Sequence, residues 1–274
     1  MPRMALMGFE LEYSLIGSGD PVVLIHAGVC ADWFKPLLSE RVLTDSFLVL
    51  SYHRVGYGRS SRLEGSVSIA DQANHCSLLM RQLGIGRAHI VGHSSSANMA
   101  LQLALDLPNM VHSLALLEPA LYQGVPSASG AARAFVKQAS ELYQAGDKAG
   151  AVDVFMRGVC GPNYRTVLDS VLPGAFDQAV DDADAFFQQE LRALREWSFG
   201  LEDAKRITQP ALDVIGEESQ NVSVIWRERQ EVLLAWLPNV EPLVLPKTTH
   251  LLQLQNPGGM AEGLAAFFAR HALS

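Results

Sequence analysis

Gly92-His93-Ser94-Ser95-Ser96 decides how this chain is read. Before it, Ala88-His89-Ile90-Val91 has the apolar character of a short buried strand. After it, Ala97 to Leu107 carries apolar residues in a run that suits a buried helix. A serine on a sharp turn from strand to helix is raised clear of the backbone, where its hydroxyl can act as a nucleophile. The turn is so tight that the residues two before and two after must be small, and Gly92 and Ser96 meet that demand. The amide N–H of Ser95 then opens a helix, where it faces developing negative charge.

Working outward, the pattern repeats. Phe9 to Ile16 alternates as an opening strand, and Gly17-Ser18-Gly19-Asp20 is a turn. Pro21-Val22-Val23-Leu24-Ile25 is continuously apolar, as a strand covered on both faces should be. Further strands are expected at Phe47–Ser51, Val111–Leu117, Ala211–Ile215 and Pro242–Leu245. Helices are expected at 31–40, at Ile69–Leu83 with Gly84 as its C-cap, at Val222–Leu237 and at Gly259–Ala272. Strands alternating with helices predict an α/β class, a mostly parallel sheet wrapped by helices. From 121 to 205 the rhythm breaks. Ala131–Ala145, Ala149–Val159 and Ala183–Trp197 have helical patterns and no strand stands among them. This predicts a helical cap (121–205) inserted into a core made of 1–120 and 206–274. It should sit over the strands' C-terminal ends, where open α/β sheets bind ligands.

Composition narrows the function classes. With 274 residues, 49% apolar and 18% charged, the chain is long enough for a large core and too apolar to be disordered. The net charge of −8 comes without any basic patch, which argues against nucleic acid. No stretch approaches the roughly 20 apolar residues of a membrane span. Glu10 and Glu12 interrupt the first residues, so no secretory signal is expected. The three scattered cysteines, Cys30, Cys76 and Cys160, form neither a disulfide framework nor a zinc pattern. The expectation is a cytoplasmic enzyme needing no metal or cofactor.

A nucleophilic serine needs a base. His250, in Pro246-Lys247-Thr248-Thr249-His250 just after the last strand, is placed to reach Ser94. His53, His75, His89, His112 and His271 read as structural.

The motifs Leu24-Ile25-His26-Ala27-Gly28, Tyr52-His53-Arg54-Val55-Gly56-Tyr57-Gly58-Arg59-Ser60, the turn at 92–96, Pro210-Ala211-Leu212 with Gly216-Glu217, and His250 together resemble the α/β-hydrolase superfamily over nearly the whole chain. That resemblance implies a Ser-His-acid triad and an oxyanion hole. It places the acid shortly after Gly216-Glu217, which lands on Ser219, a residue unable to serve as the anion. A second arrangement in the superfamily puts the acid after the strand that follows the elbow helix. Here that is Glu118, in Leu116-Leu117-Glu118-Pro119, which resembles the pattern of fungal zearalenone lactonases. Glu118 is ranked ahead of Glu218. The resemblance also implies oxyanion donors at Gly28 and Ser95, structural roles for His26 and His53, and glycine more often than serine at position 96. His93, Trp197 and Phe187 are expected to line the substrate pocket. Dehalogenases and epoxide hydrolases of this fold use an aspartate where Ser94 stands. The expected activity is therefore hydrolysis of a small carboxylic ester or lactone. Carbon–carbon bond hydrolysis and a non-catalytic ligand-binding protein are the alternatives.

Overall fold

The computed structural model describes residues 1–128 and 131–273, and for 131–133 the backbone only. Eight strands form one sheet: β1 (Arg3–Leu6), β2 (Phe9–Ile16), β3 (Asp20–Ile25), β4 (Phe47–Tyr52), β5 (Ala88–His93), β6 (Val111–Leu117), β7 (Ala211–Gly216) and β8 (Val240–Leu245). Their order is β1-β2-β4-β3-β5-β6-β7-β8. The first two strands pair antiparallel, and every pairing from β4 to β8 is parallel. β1 escapes the sequence pattern because four residues at a sheet edge are too few to show alternation.

The central strands alternate between two apolar layers, as a period of two requires. Val23, Ile25, Leu114 and Leu116 join one core with the helices Ile69–Gln82, Ser95–Asp106 and Ile225–Trp236. Val22, Leu24, Ala115 and Leu117 join the other core with Leu264, Phe267 and Phe268 of the helix Pro257–Arg270. The helix Ile69–Gln82 starts on a reciprocal cap between Ser68 and Asp71 and stops before Gly84, whose φ is +75°. The helix expected over 31–40 is instead a turn followed by a 3-10 helix, Lys35–Ser39. Pro36 has no N–H to offer an α-helical ladder there.

A helical insert occupies the chain between β6 and β7. It contains the helices Ala131–Gln144, Lys148–Cys160, Tyr164–Val171, Ala175–Asp181, Leu191–Glu196 and Leu201–Ala204. Residues Ala185–Glu190 wind as a π-helix, so the single helix expected over Ala183–Trp197 changes its winding partway along. The insert shares an apolar core with loops at the sheet's C-terminal edge. Ala27, Val29, Trp33, Leu251 and Leu254 pack with Met156, Tyr164, Phe186 and Leu191. Polar contacts fasten the same junction. Arg54 Nη2 donates to Glu190 Oε2 at 2.8 Å, the Tyr57 hydroxyl donates to the same oxygen at 2.6 Å, and Gly58 N–H donates to Asp182 at 2.8 Å. Among the described residues, no helix is long and apolar enough to cross a membrane.

Candidate active site

Backbone strain marks the site before any side chain does. Among the described residues, four that are not glycine have positive φ: Val29 (70°), Ser94 (56°), Glu118 (44°) and Lys247 (57°). They leave the C-terminal ends of β3, β5, β6 and β8. Each such conformation costs roughly 1–3 kcal/mol and persists where the surroundings hold it.

Ser94 has φ 56° and ψ −120° and stands directly before the elbow helix. Its N–H donates to Leu117 O at 2.8 Å, tying the turn to β6. Gly92 cannot be larger, because a Cβ there would lie 2.5 Å from Ser96 O and 2.6 Å from Ala97 Cα. Ser96 does more than fit. Its hydroxyl accepts from His93 N–H at 2.8 Å and is hydrogen-bonded to Ile25 O, so it clamps the turn to β3. That contact accounts for a serine where glycine is usual.

Glu118 begins the loop after β6, and its N–H donates to Val214 O at 3.0 Å. The side chain is buried and turns toward β7 and β8. Oε1 accepts from Gly216 N–H at 2.8 Å, and Oε2 lies 2.6 Å from His250 Nδ1. An ionised carboxylate only accepts, so Nδ1 carries the hydrogen and Nε2 is left as the basic nitrogen. Burial pushes the Glu118 carboxyl up to about 7, opposed by the nearby Ser219 hydroxyl and by Gly216 N–H. Burial, with Arg229 close by, pulls His250 down to about 3. The indole of Trp226 stacks on the His250 ring, with centroids 4.0 Å apart. Ser219, where the resemblance would put the acid, is fully buried beside Glu118. Glu218 has an exposed side chain, and its N–H donates to Thr248 O at 2.8 Å.

A cavity of about 1120 Å³ lies between the sheet edge and the insert. Ser94, Ser95, Gly28 and His250 line its floor, while Phe135, Phe155, Phe186, Leu194 and Trp197 from the insert form walls. Gly28 N–H donates to the Ser95 hydroxyl at 3.1 Å. Two of the residues expected at the pocket do not line this cavity. His93 is not at the cavity wall; it is fully buried behind His250, with ring centroids 4.7 Å apart and Nδ1 3.3 Å from Gln253 Nε2. Phe187 stacks on Tyr143 at 5.0 Å, and its neighbour Phe186 lines the cavity instead. Trp226 and Arg229, both at the cavity, escaped the sequence reading. They stand three apart on one helix face, but nothing in the sequence distinguishes that face from an ordinary buried one.

His26 and His53 are held in the scaffold. His26 Nε2 accepts from Arg54 N–H at 2.9 Å, and His53 sits between Glu12 and Asp32 at 3.0 Å from each. Among the described residues, no three or more His, Cys, Asp or Glu side chains gather as a metal site would require.

A family profile described as "alpha/beta hydrolase fold" matches residues 20–148. The dihydrolipoyllysine-residue acetyltransferase component of the acetoin cleaving system of Cupriavidus necator is 28% identical over 83% of this chain. The chain spans only 57% of that protein's length. The 2-(acetamidomethylene)succinate hydrolase of Mesorhizobium japonicum is 29% identical over 88% of this chain and 85% of its own. Among solved structures, a thermophilic esterase from Thermogutta terrifontis superposes with a TM-score of 0.81 over the whole of both chains, at 18% identity. With its strand order and the helical insert between β6 and β7, this chain has the α/β-hydrolase fold.

Proposed function

We propose that this protein is a serine hydrolase that cleaves carboxylic esters or lactones through an acyl-enzyme. One observation carries the reading: Ser94 on its strained elbow lines the same cavity as His250, and His250 is held by a buried carboxylate at 2.6 Å. In this reading His250 Nε2 takes the Ser94 proton as Oγ attacks the carbonyl carbon. Glu118 fixes the imidazole tautomer and stabilises the cation that forms. The N–H groups of Ser95 and Gly28 stabilise the tetrahedral oxyanion, Gly28 turning its hydrogen bond from the Ser95 hydroxyl to the substrate oxygen. His250 then protonates the leaving alcohol. Water, activated by the same imidazole, releases the acid and restores Ser94.

The experiment is hydrolysis of p-nitrophenyl butyrate by wild type and Ser94→Ala, alongside labelling with a fluorophosphonate probe. Turnover and labelling in wild type, both absent in Ser94→Ala, are expected. Retained turnover in Ser94→Ala would move the nucleophile elsewhere. Neither turnover nor labelling in wild type would make this a ligand-binding protein on a hydrolase fold.

A further inference from the structure

Arg229 lies on the helix Ile225–Trp236 and is only 6% exposed. Its Nε donates to Leu121 O at 2.9 Å, and its guanidinium carbon lies 4.9 Å from the centre of the Trp226 ring. Among the described residues it forms no ion pair, and neither terminal nitrogen has a hydrogen-bond partner. Those nitrogens are nonetheless not sealed from solvent, and the residue lines the cavity that holds Ser94 and His250. Arg54 shows what this chain does with a buried guanidinium that has only a structural task, since it meets Glu190 at 2.8 Å.

Taking a guanidinium out of water without a counterion is costly. Burial draws Arg229 down to about 10, which still leaves it charged near neutral pH. The rest of the lining adds to the imbalance. Lys137 and Arg195 are cationic, and Glu141, the one acidic residue among the described lining residues, lies 3.6 Å from Lys137. The cavity therefore offers two terminal guanidinium nitrogens with no acceptor among the described residues; the charge of Glu118 is felt by Arg229, but its oxygens are already bonded to Gly216 N–H and His250.

We propose that Arg229 is the anion-binding residue of this cavity, and that the substrate is an ester or lactone that itself bears a carboxylate. The inference rests on the hydrolase reading above and specifies its substrate class. The substrate's carboxylate would take the place of the missing counterion against the terminal nitrogens, with Nε kept on Leu121. It has a second consequence. The positive charge of Arg229 is one of the two influences that depress His250. A bound carboxylate would offset that charge and make His250 a stronger base when substrate is present. Substitution should therefore alter kcat as well as KM.

The test compares mono-p-nitrophenyl glutarate, an anionic ester, with its neutral methyl ester. The expected kcat/KM is higher for the anion in wild type. Arg229→Gln should reduce the anion-to-neutral ratio at least about tenfold, and Arg229→Lys should keep most of it. A ratio unchanged in Arg229→Gln would overturn the inference, as would a wild type that prefers the neutral ester, an outcome readable even if the variant does not fold. Binding is read separately from chemistry. Ser94→Ala protein is titrated with monomethyl glutarate and followed by tryptophan fluorescence, with and without Arg229→Gln. Binding weakened at least about tenfold by Arg229→Gln supports the anion site whatever the turnover shows. Turnover without this loss of binding would leave the hydrolase reading standing and the anion site refuted.

Discussion

Two glutamates are buried where the sheet meets the insert, and they are built for opposite tasks. Glu190 is held by Arg54 at 2.8 Å and by the Tyr57 hydroxyl at 2.6 Å. Glu118 is held by Gly216 N–H at 2.8 Å and by His250 at 2.6 Å. The distances hardly differ. What differs is whether the partner can give up a proton. Arg54 stays charged, and burial pushes the Tyr57 hydroxyl well above its ordinary range. The Glu190 centre bolts the insert to the loop after β4. Glu118 meets an imidazole, a group able to take up a proton and give it back, and that imidazole opens onto the cavity. A buried carboxylate is therefore not in itself the mark of a reactive site; a proton-trading partner with access to a cavity is.

Glutamine substitution should pull the two apart. Glu118→Gln is expected to lower kcat by about 10³–10⁴-fold, because an amide no longer holds the imidazole in the tautomer the serine needs. Its effect on thermal stability should be the smaller of the two, since it removes a charge that burial opposes. Glu190→Gln should do the reverse. It leaves Arg54 buried without its counterion, at a cost of about 3–5 kcal/mol, or roughly 10 °C in Tm for a chain of this length. The activity of the protein that remains folded should fall far less than in Glu118→Gln. Esterase assays beside thermal melts decide it. A Glu190→Gln protein that melts normally and is inactive would place Glu190 in the chemistry and undo the comparison.

The pH profile sharpens the same contrast. With Glu118 raised to about 7 and His250 lowered to about 3, the folded pair binds its first proton near 7 and its second near 3. These belong to the pair as a unit. The form active as a base carries neither proton. Thus kcat/KM should reach half its maximum near pH 7 and fall about tenfold for each further unit of acidification. Stability should not follow. In the unfolded chain the two groups titrate at their ordinary values of 4.5 and 6.5. Between those values the pair holds one proton in both states, so its contribution to folding is flat. Below 4.5 the unfolded chain gains the second proton first, and stability falls. Above 6.5 the unfolded chain loses its proton first, and stability falls slightly until 7. A protein that is slow at pH 5.5, melts normally there and recovers on return to pH 8 meets the expectation. A rate independent of pH from 5.5 to 8 would remove the Glu118–His250 pair from the rate-limiting chemistry.

The parts of the molecule that depend on local chemistry could be read from the sequence. β6 spans Val111–Leu117 as expected, because an apolar run bounded by turn residues leaves few other choices. The elbow was legible too, since its size limits act on residues two places away. Phe186 and Phe187 were not separable. At an α-helical pitch neighbours point about 100° apart, and the π winding over Ala185–Glu190 shifts which of them meets the cavity. The Arg54–Glu190 pair joins residues 136 apart, and neither residue carries a local sign of the other. Arg229 was hidden for a related reason, because an arginine in an amphipathic helix ordinarily reads as a solvated face. His93 sits next to Ser94 in sequence but does not share its place at the cavity. The sharp turn sends the serine to the cavity, while the last residue of β5 packs among His250, Trp33 and Gln253.

The smallest expected effect belongs to Glu218, the rival acid. It is one residue from the position the superfamily pattern favours, and its carboxylate has the right chemistry. Its place is wrong. The backbone donates to Thr248 O at 2.8 Å and the side chain is exposed, while the buried position beside Glu118 is filled by Ser219. An exposed carboxylate could reach His250 only by displacing Ser219 or Glu118 from packed positions. Glu218→Gln should therefore keep kcat/KM within about twofold and stability within about 0.5 kcal/mol, as surface substitutions do. Measured beside Glu118→Gln, it compares the two candidate acids directly. A loss of 10²-fold or more in Glu218→Gln, with Glu118→Gln nearly unaffected, would relocate the acid to the loop after β7. Glu118 would then be a second structural carboxylate, of the same kind as Glu190.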